Sequence, residues 1–117
     1  MGLFAADSWR ASRLVVDTGL HAMGWTRRQA LDWMAEHTPL PRMEIESEVD
    51  RYISYPGQAL AYMVGRREIV RLRETAAAGL GGRFDLREFH DVVLRAGSLP
   101  LPALAGTVER WMGRVGA

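Results

Sequence analysis

No stretch of this 117-residue chain alternates apolar and polar side chains over a useful length, and no Asn-Gly or Asp-Gly pair offers a hairpin turn. The chain instead carries a succession of segments with apolar residues three and four apart, separated by Gly and Pro. The expected fold is therefore all-α: a compact bundle of about five or six helices, one domain over residues 1–117, with short connections. Hydrophobic residues at 48% and charged residues at 25% are ordinary globular usage, enough for one modest core and unlike a disordered chain.

The breaks set the helix boundaries. A first helix is expected over Gly2 to Met23, with Phe4, Trp9, Leu14, Val15, Leu20 and Met23 near one face and Gly24 as its stop. Thr26 followed by Gln29 is a capping-box pair, opening a helix through Ala30, Leu31, Trp33 and Met34 to His37, which Pro39 and Pro41 end. A third runs from Arg42 to Ile53 on Met43, Ile45, Val49 and Ile53, with Glu44, Glu46, Glu48 and Asp50 in its early turns. After Ser54-Tyr55-Pro56, a longer helix is expected from Gly57 to Ala78 on Leu60, Met63 or Val64, Ile69, Leu72 and Ala76. Asp85 with Glu88 caps a helix through Phe89, Val92, Val93 and Leu94 to Gly97, and the last spans Leu101 to Arg114.

Composition removes several classes of function. Fifteen basic against 14 acidic residues leave a formal charge of +1, too even for a chain that neutralises many phosphates, so nucleic acid is not an expected partner. The basic face of Arg66, Arg67, Arg71 and Arg73 has Glu68 and Glu74 three residues from Arg71, the pattern of a solvated, ion-paired surface. The absence of cysteine excludes disulfides and thiolate chemistry. The longest apolar run, Ala59 to Val64, is far short of the ~20 residues that cross a bilayer. No basic start precedes an apolar stretch, so neither membrane nor export is expected and the cytoplasm is the expected compartment.

Catalytic signatures are missing as well. There is no His-Glu-x-x-His, and His21, His37 and His90 have no second His at helical spacing, so no metal is expected on this chain alone. No serine lies in a Gly-x-Ser-x-Gly elbow, and Gly79, Gly81 and Gly82 read as a helix stop. Two stretches stand apart. Arg13, Asp17 and His21 fall at i, i+4 and i+8; each step overshoots a turn by about 40°, so all three share one broad face, as a polar network or as the lining of a site. The break around Tyr52, Tyr55, Gly57, Gln58 and Tyr62, flanked by Arg51, concentrates donors where helix ends leave backbone groups unpaired; it is either a packed corner or a place for an anionic group near Gly57 to Ala59.

The same stretches carry a resemblance. Trp9-Arg10-Ala11-Ser12-Arg13-Leu14-Val15-Val16-Asp17-Thr18-Gly19-Leu20-His21, Gly24-Trp25-Thr26, Arg51-Tyr52, Pro56-Gly57-Gln58-Ala59-Leu60-Ala61-Tyr62 with Gly65, and Phe84-Asp85-Leu86-Arg87 through Phe89-His90-Asp91 resemble, in order, the carboxyl-terminal part of the bacterial domain-of-unknown-function family 885. The resemblance runs from about Trp9 to Met112. It implies the last portion of a longer, helical, zinc-dependent peptidase-like protein of the gluzincin type, whose His-Glu zinc motif lies upstream and is absent here. Zinc is thus expected in full-length relatives and no cofactor on this chain.

By that resemblance Tyr62 and Tyr52 take oxyanion or substrate hydrogen bonds, His21 an electrophilic or substrate-binding role, Arg51 or Arg13 a substrate carboxylate, and Gln58 the substrate backbone. No residue of this chain alone is expected to be catalytic. The expected partners are the missing catalytic portion or a second copy, with a peptide as substrate. The alternative is a stand-alone helical interaction or oligomerisation module.

Overall fold

The computed structural model describes residues 2–117. Six α-helices follow one another: α1 (Leu3–Ala22), α2 (Arg27–His37), α3 (Arg42–Ser54), α4 (Ala61–Leu80), α5 (Leu86–Arg95) and α6 (Leu101–Gly116), with single 3-10 turns at Gln58–Leu60 and Gly81–Arg83 and no strand among the described residues. The fold class is all-α, as the sequence pattern predicts. Among the described residues, no helix is long and apolar enough to cross a membrane.

Local chemistry explains the boundaries. The Thr26 hydroxyl accepts the Gln29 N–H while the Gln29 side chain accepts the Thr26 N–H, the reciprocal capping box at the start of α2. The Asp85 carboxylate accepts the N–H groups of Arg87 and Glu88 at the start of α5, and these bonds hold its pKa below the usual carboxylate value. The fourth helix differs from expectation. A separate 3-10 turn occupies residues 58–60, and the helix proper runs from Ala61 through Gly79 to Leu80.

The chain packs as two compact units, one ending at Val64 and the other running from Gly65 to Ala117. The first buries Val16, Ala30, Leu31, Met34, Leu40, Ile45, Val49, Tyr52 and Ala59, with Trp9, Leu20, Trp25 and Trp33 against them. The second buries Leu72, Ala76, Leu80, Phe89, Leu104, Val108 and Trp111. At ~1.5–3 kcal/mol for each large apolar side chain, these two sets are the main stabilising force of each unit.

The inward face of α1 is only partly the one that its apolar residues mark. Trp9 and Leu20 pack on the core, but Phe4, Val15 and Met23 are exposed, whereas Ser12, Arg13, Val16, Asp17 and Gly19 are buried. On α3, Met43 and Ile53 are likewise exposed and Tyr52 takes the inner position beside Ile45 and Val49; on α5, Leu94 points outward. For α1 the reason is partly steric. A Cβ on Gly19 would overlap the six-membered ring of Trp25, so only glycine lets that indole lie against the helix. The rest of the reason is the polar network that α1 carries inward.

Candidate functional site

The polar face of α1 meets the α3–α4 corner within the first unit. Gly57 adopts φ +82°, a left-handed conformation that other residues reach only at a cost, and this turn aims its N–H into the unit. The Asp17 carboxylate receives it, with both oxygens 3.1 Å from the nitrogen. The place for an anionic group that the sequence marks near Gly57 is therefore filled from inside the chain.

Tyr52 is the hub. Its hydroxyl donates to Glu48 Oε2 at 2.8 Å and accepts the Trp9 indole N–H at 3.1 Å. Its ring is fully buried, and burial, reinforced by the bond to Glu48 and opposed by that from Trp9, pushes its pKa up to about 12. Glu48 is pulled both ways: burial works to raise it, but hydrogen bonds from Arg51 and Tyr52 prevail and hold it below the ordinary glutamate value. Arg51 grips Glu48 through two nitrogens, at 2.9 and 3.3 Å, and donates a third bond to Gln58 Oε1 at 2.7 Å. The bond to Glu48 raises the pKa of Arg51 further. His21 Nε2–H donates to the Tyr52 carbonyl at 2.9 Å, which fixes a proton on that nitrogen.

Arg13 occupies a different environment. It is only 5% exposed, yet its Nε finds no hydrogen-bond partner among the described residues. Three rings surround its guanidinium instead, those of Trp9 and Tyr52 at 5.7 Å and Tyr62 at 5.2 Å. Arg10 approaches the same Tyr62 ring, also at 5.2 Å, and Tyr62 itself is 55% exposed. The cluster thus presents two guanidiniums and a phenol, with a buried charge stabilised by ring faces and without a carboxylate bonded to it.

All six residues singled out from sequence lie in this first unit. Arg13, Tyr52 and Tyr62 come together in the cage; Arg51 and Gln58 bond to each other beside it; His21 reaches the cluster through the Tyr52 backbone. Three further participants, Trp9, Arg10 and Glu48, were visible in sequence only as an apolar position, an interspersed charge and a helix-start acid.

Among the described residues no group of three or more His, Asp or Glu side chains is placed to hold a metal ion. His21 is bonded to a backbone carbonyl, while the His37 ring stacks on Trp33 at 4.0 Å and bonds to the Trp33 carbonyl.

Comparison with known proteins adds family and neighbour. The model of the family described as "Bacterial protein of unknown function (DUF885)" matches residues 1–108. A crystal structure described as that of "the putative lipoprotein from Colwellia psychrerythraea" superposes with a TM-score of 0.92 at 48% identity, over 94% of this chain and 19% of that one. The present chain therefore spans about a fifth of the solved chain it matches. No curated protein matches the sequence.

Proposed function

Because the chain belongs to the bacterial family of unknown function DUF885, we propose that it is the carboxyl-terminal helical portion of a larger zinc-dependent peptidase-like protein. In this reading it contributes a substrate- and oxyanion-binding wall and is inactive alone. Zinc and its ligands belong to the larger body; the present helices bind and orient.

The observation that carries this reading is the Arg13 cage. Burying an arginine without an acceptor for its Nε costs free energy, and a chain selected for stability alone would place a neutral side chain there. An anionic substrate group arriving beside half-exposed Tyr62 would be drawn by the charges of Arg13 and Arg10. Of the two arginines that the resemblance offers for a substrate carboxylate, Arg51 is already hydrogen-bonded to Glu48, whereas Arg13 feels Glu48 only through space and its Nε has no acceptor. The Tyr52 hydroxyl is likewise committed to Glu48 and Trp9, so it positions the cage, and Tyr62, half exposed between Arg10 and Arg13, is the phenol that meets substrate.

The test has two parts. Purified 117-residue chain is assayed for zinc content and peptidase activity, and is titrated with N-acetyl-dialanine and its amide while the Trp9 indole resonance is followed. The expected result is no hydrolysis, with the free carboxylate moving the Trp9 signal about tenfold more readily than the amide and Arg10→Gln weakening it. Stoichiometric zinc with chelator-sensitive hydrolysis, or equal response to acid and amide, overturns the reading.

The stand-alone interaction module is the second reading, in which the exposed apolar start of α1 meets a partner or a second copy instead of the larger body. Leu3 and Phe4, at the start of α1, are 73% and 88% exposed. A solution mass of one chain at high concentration removes self-association as the explanation. The cytoplasmic placement expected from sequence stands as a proposal beside the lipoprotein description of the Colwellia protein, and fractionation of the native cells decides between cytoplasm and envelope.

A further inference from the structure

A helix at a protein surface ordinarily sends its charges to solvent and its apolar stripe inward. Within the first unit α2 does so, exposing Arg28, Asp32 and Glu36 at four-residue steps, and α3 exposes Arg42, Glu44 and Asp50. The first helix is inverted. Among the 20 residues of α1 no Asp, Glu or Arg is exposed: Asp7 and Arg10 are half-buried, and Arg13 and Asp17 are buried.

What α1 turns to solvent instead is Phe4, Ala11, Val15, Thr18 and Ala22, continued by half-buried Ser8. At ~100° per residue these six positions fall within about 80° of arc, and Arg13 lies opposite them. From Phe4 to Ala22 they alternate four- and three-residue steps over about 27 Å, the seam along which one helix packs on another. Freedom from charge is also what the centre of a protein–protein contact has, because a charge there would lose its water on docking. A helix that buries ions on one face and carries none on the other is built to be covered on both sides.

The solved relative says what covers it. A fold with a TM-score of 0.92 to this one, at 48% identity, makes up 19% of the Colwellia chain, so about four-fifths of that polypeptide lies outside the match. We propose that the outer stripe of α1 is the seam on which the larger body of a DUF885 protein packs, through an uncharged apolar surface of its own. This seam presupposes the larger body of the reading above, and needs neither its zinc nor its peptide substrate.

The chain has no cysteine, so a single introduced thiol reports one position. Val15→Cys and Thr18→Cys place it on the stripe, and Arg28→Cys on the charged face of α2, all at exposed positions. Each is labelled with a maleimide in the 117-residue chain and, at the superposing position, in the full-length Colwellia protein, with the modified peptides followed by mass. In the short chain all three are expected to react at similar rates. In the full-length protein the two stripe positions are expected to react about tenfold or more slowly than in the short chain, and the α2 position within about twofold. Equal slowing at all three positions, or no slowing on the stripe, overturns the proposal. A short-chain solution mass of two copies that Val15→Glu returns to one also overturns it, assigning the stripe to self-association. Hydrolysis, zinc content and the Trp9 response judge the reading of the first unit, so its failure and failure of the seam are seen separately.

Discussion

The Asp17 carboxylate and the Gly57 backbone N–H, 40 residues apart in sequence, meet at 3.1 Å with both carboxylate oxygens sharing the one donor. Asp17 is 2% exposed, so this contact joins α1 to the α3–α4 corner by a bond that water does not replace. Asp17→Ala is expected to lower the unfolding free energy by about 1–3 kcal/mol, because the Gly57 donor loses its acceptor. Asp17→Asn, which keeps a carbonyl oxygen, is expected to lose less. Urea denaturation of the two variants beside the parent chain measures both.

Gly19→Ala tests the close approach of Trp25. The added methyl meets the indole, and the expected loss is about 1–3 kcal/mol, accompanied by a shifted Trp25 indole resonance. Unchanged stability and an unchanged indole signal would mean that the ring moves aside freely.

Arg13→Met separates a binding role from a structural one. Methionine keeps the three rings covered while removing a buried charge whose Nε has no acceptor, so stability is expected to change by less than about 1 kcal/mol or to rise. The response to N-acetyl-dialanine is expected to disappear in the same protein. A loss of about 3 kcal/mol or more would instead assign the guanidinium to holding the aromatic rings together.

Two groups of the hub set opposite limits on pH stability. Tyr52 is raised to about 12 in the folded chain and ionises near its ordinary value when unfolded. Between about pH 10 and 12 the unfolded state therefore releases a proton that the folded state keeps, and stability falls as pH rises. Glu48 is lowered in the fold, so its contribution is present above the ordinary glutamate pKa and is lost as pH falls through the depressed value. Melting curves across pH for the parent and Tyr52→Phe check the alkaline limb, which the variant is expected to flatten.

Helix positions were legible because their signals are local: the Thr26–Gln29 box, the Asp85 cap and the Pro residues act within one turn. The inward face of α1 was legible only in part, at Trp9 and Leu20. Hydropathy favours Phe4, Val15 and Met23, while the interior takes Arg13 and Asp17, whose polar groups find rings and a backbone donor contributed by distant residues. Spacing alone could put Arg13, Asp17 and His21 on one face and mark the Tyr52–Tyr62 break as donor-rich. It could not say that the two would satisfy each other, nor that Trp9 and Glu48 would hold Tyr52 between them.

The bonds that draw the hub to α1 also fix when it can form. Trp9 to Tyr52, His21 to Tyr52 and Asp17 to Gly57 close loops of 43, 31 and 40 residues. Closing such loops costs chain entropy before any contact repays it, whereas the caps of α2 and α5 need only their own turns. The corner is thus assembled late, after the helices that frame it. Substitutions there should act mainly by hastening unfolding and leave the refolding rate nearly untouched, and a ligand seated against Arg13 should prolong the lifetime of the folded first unit.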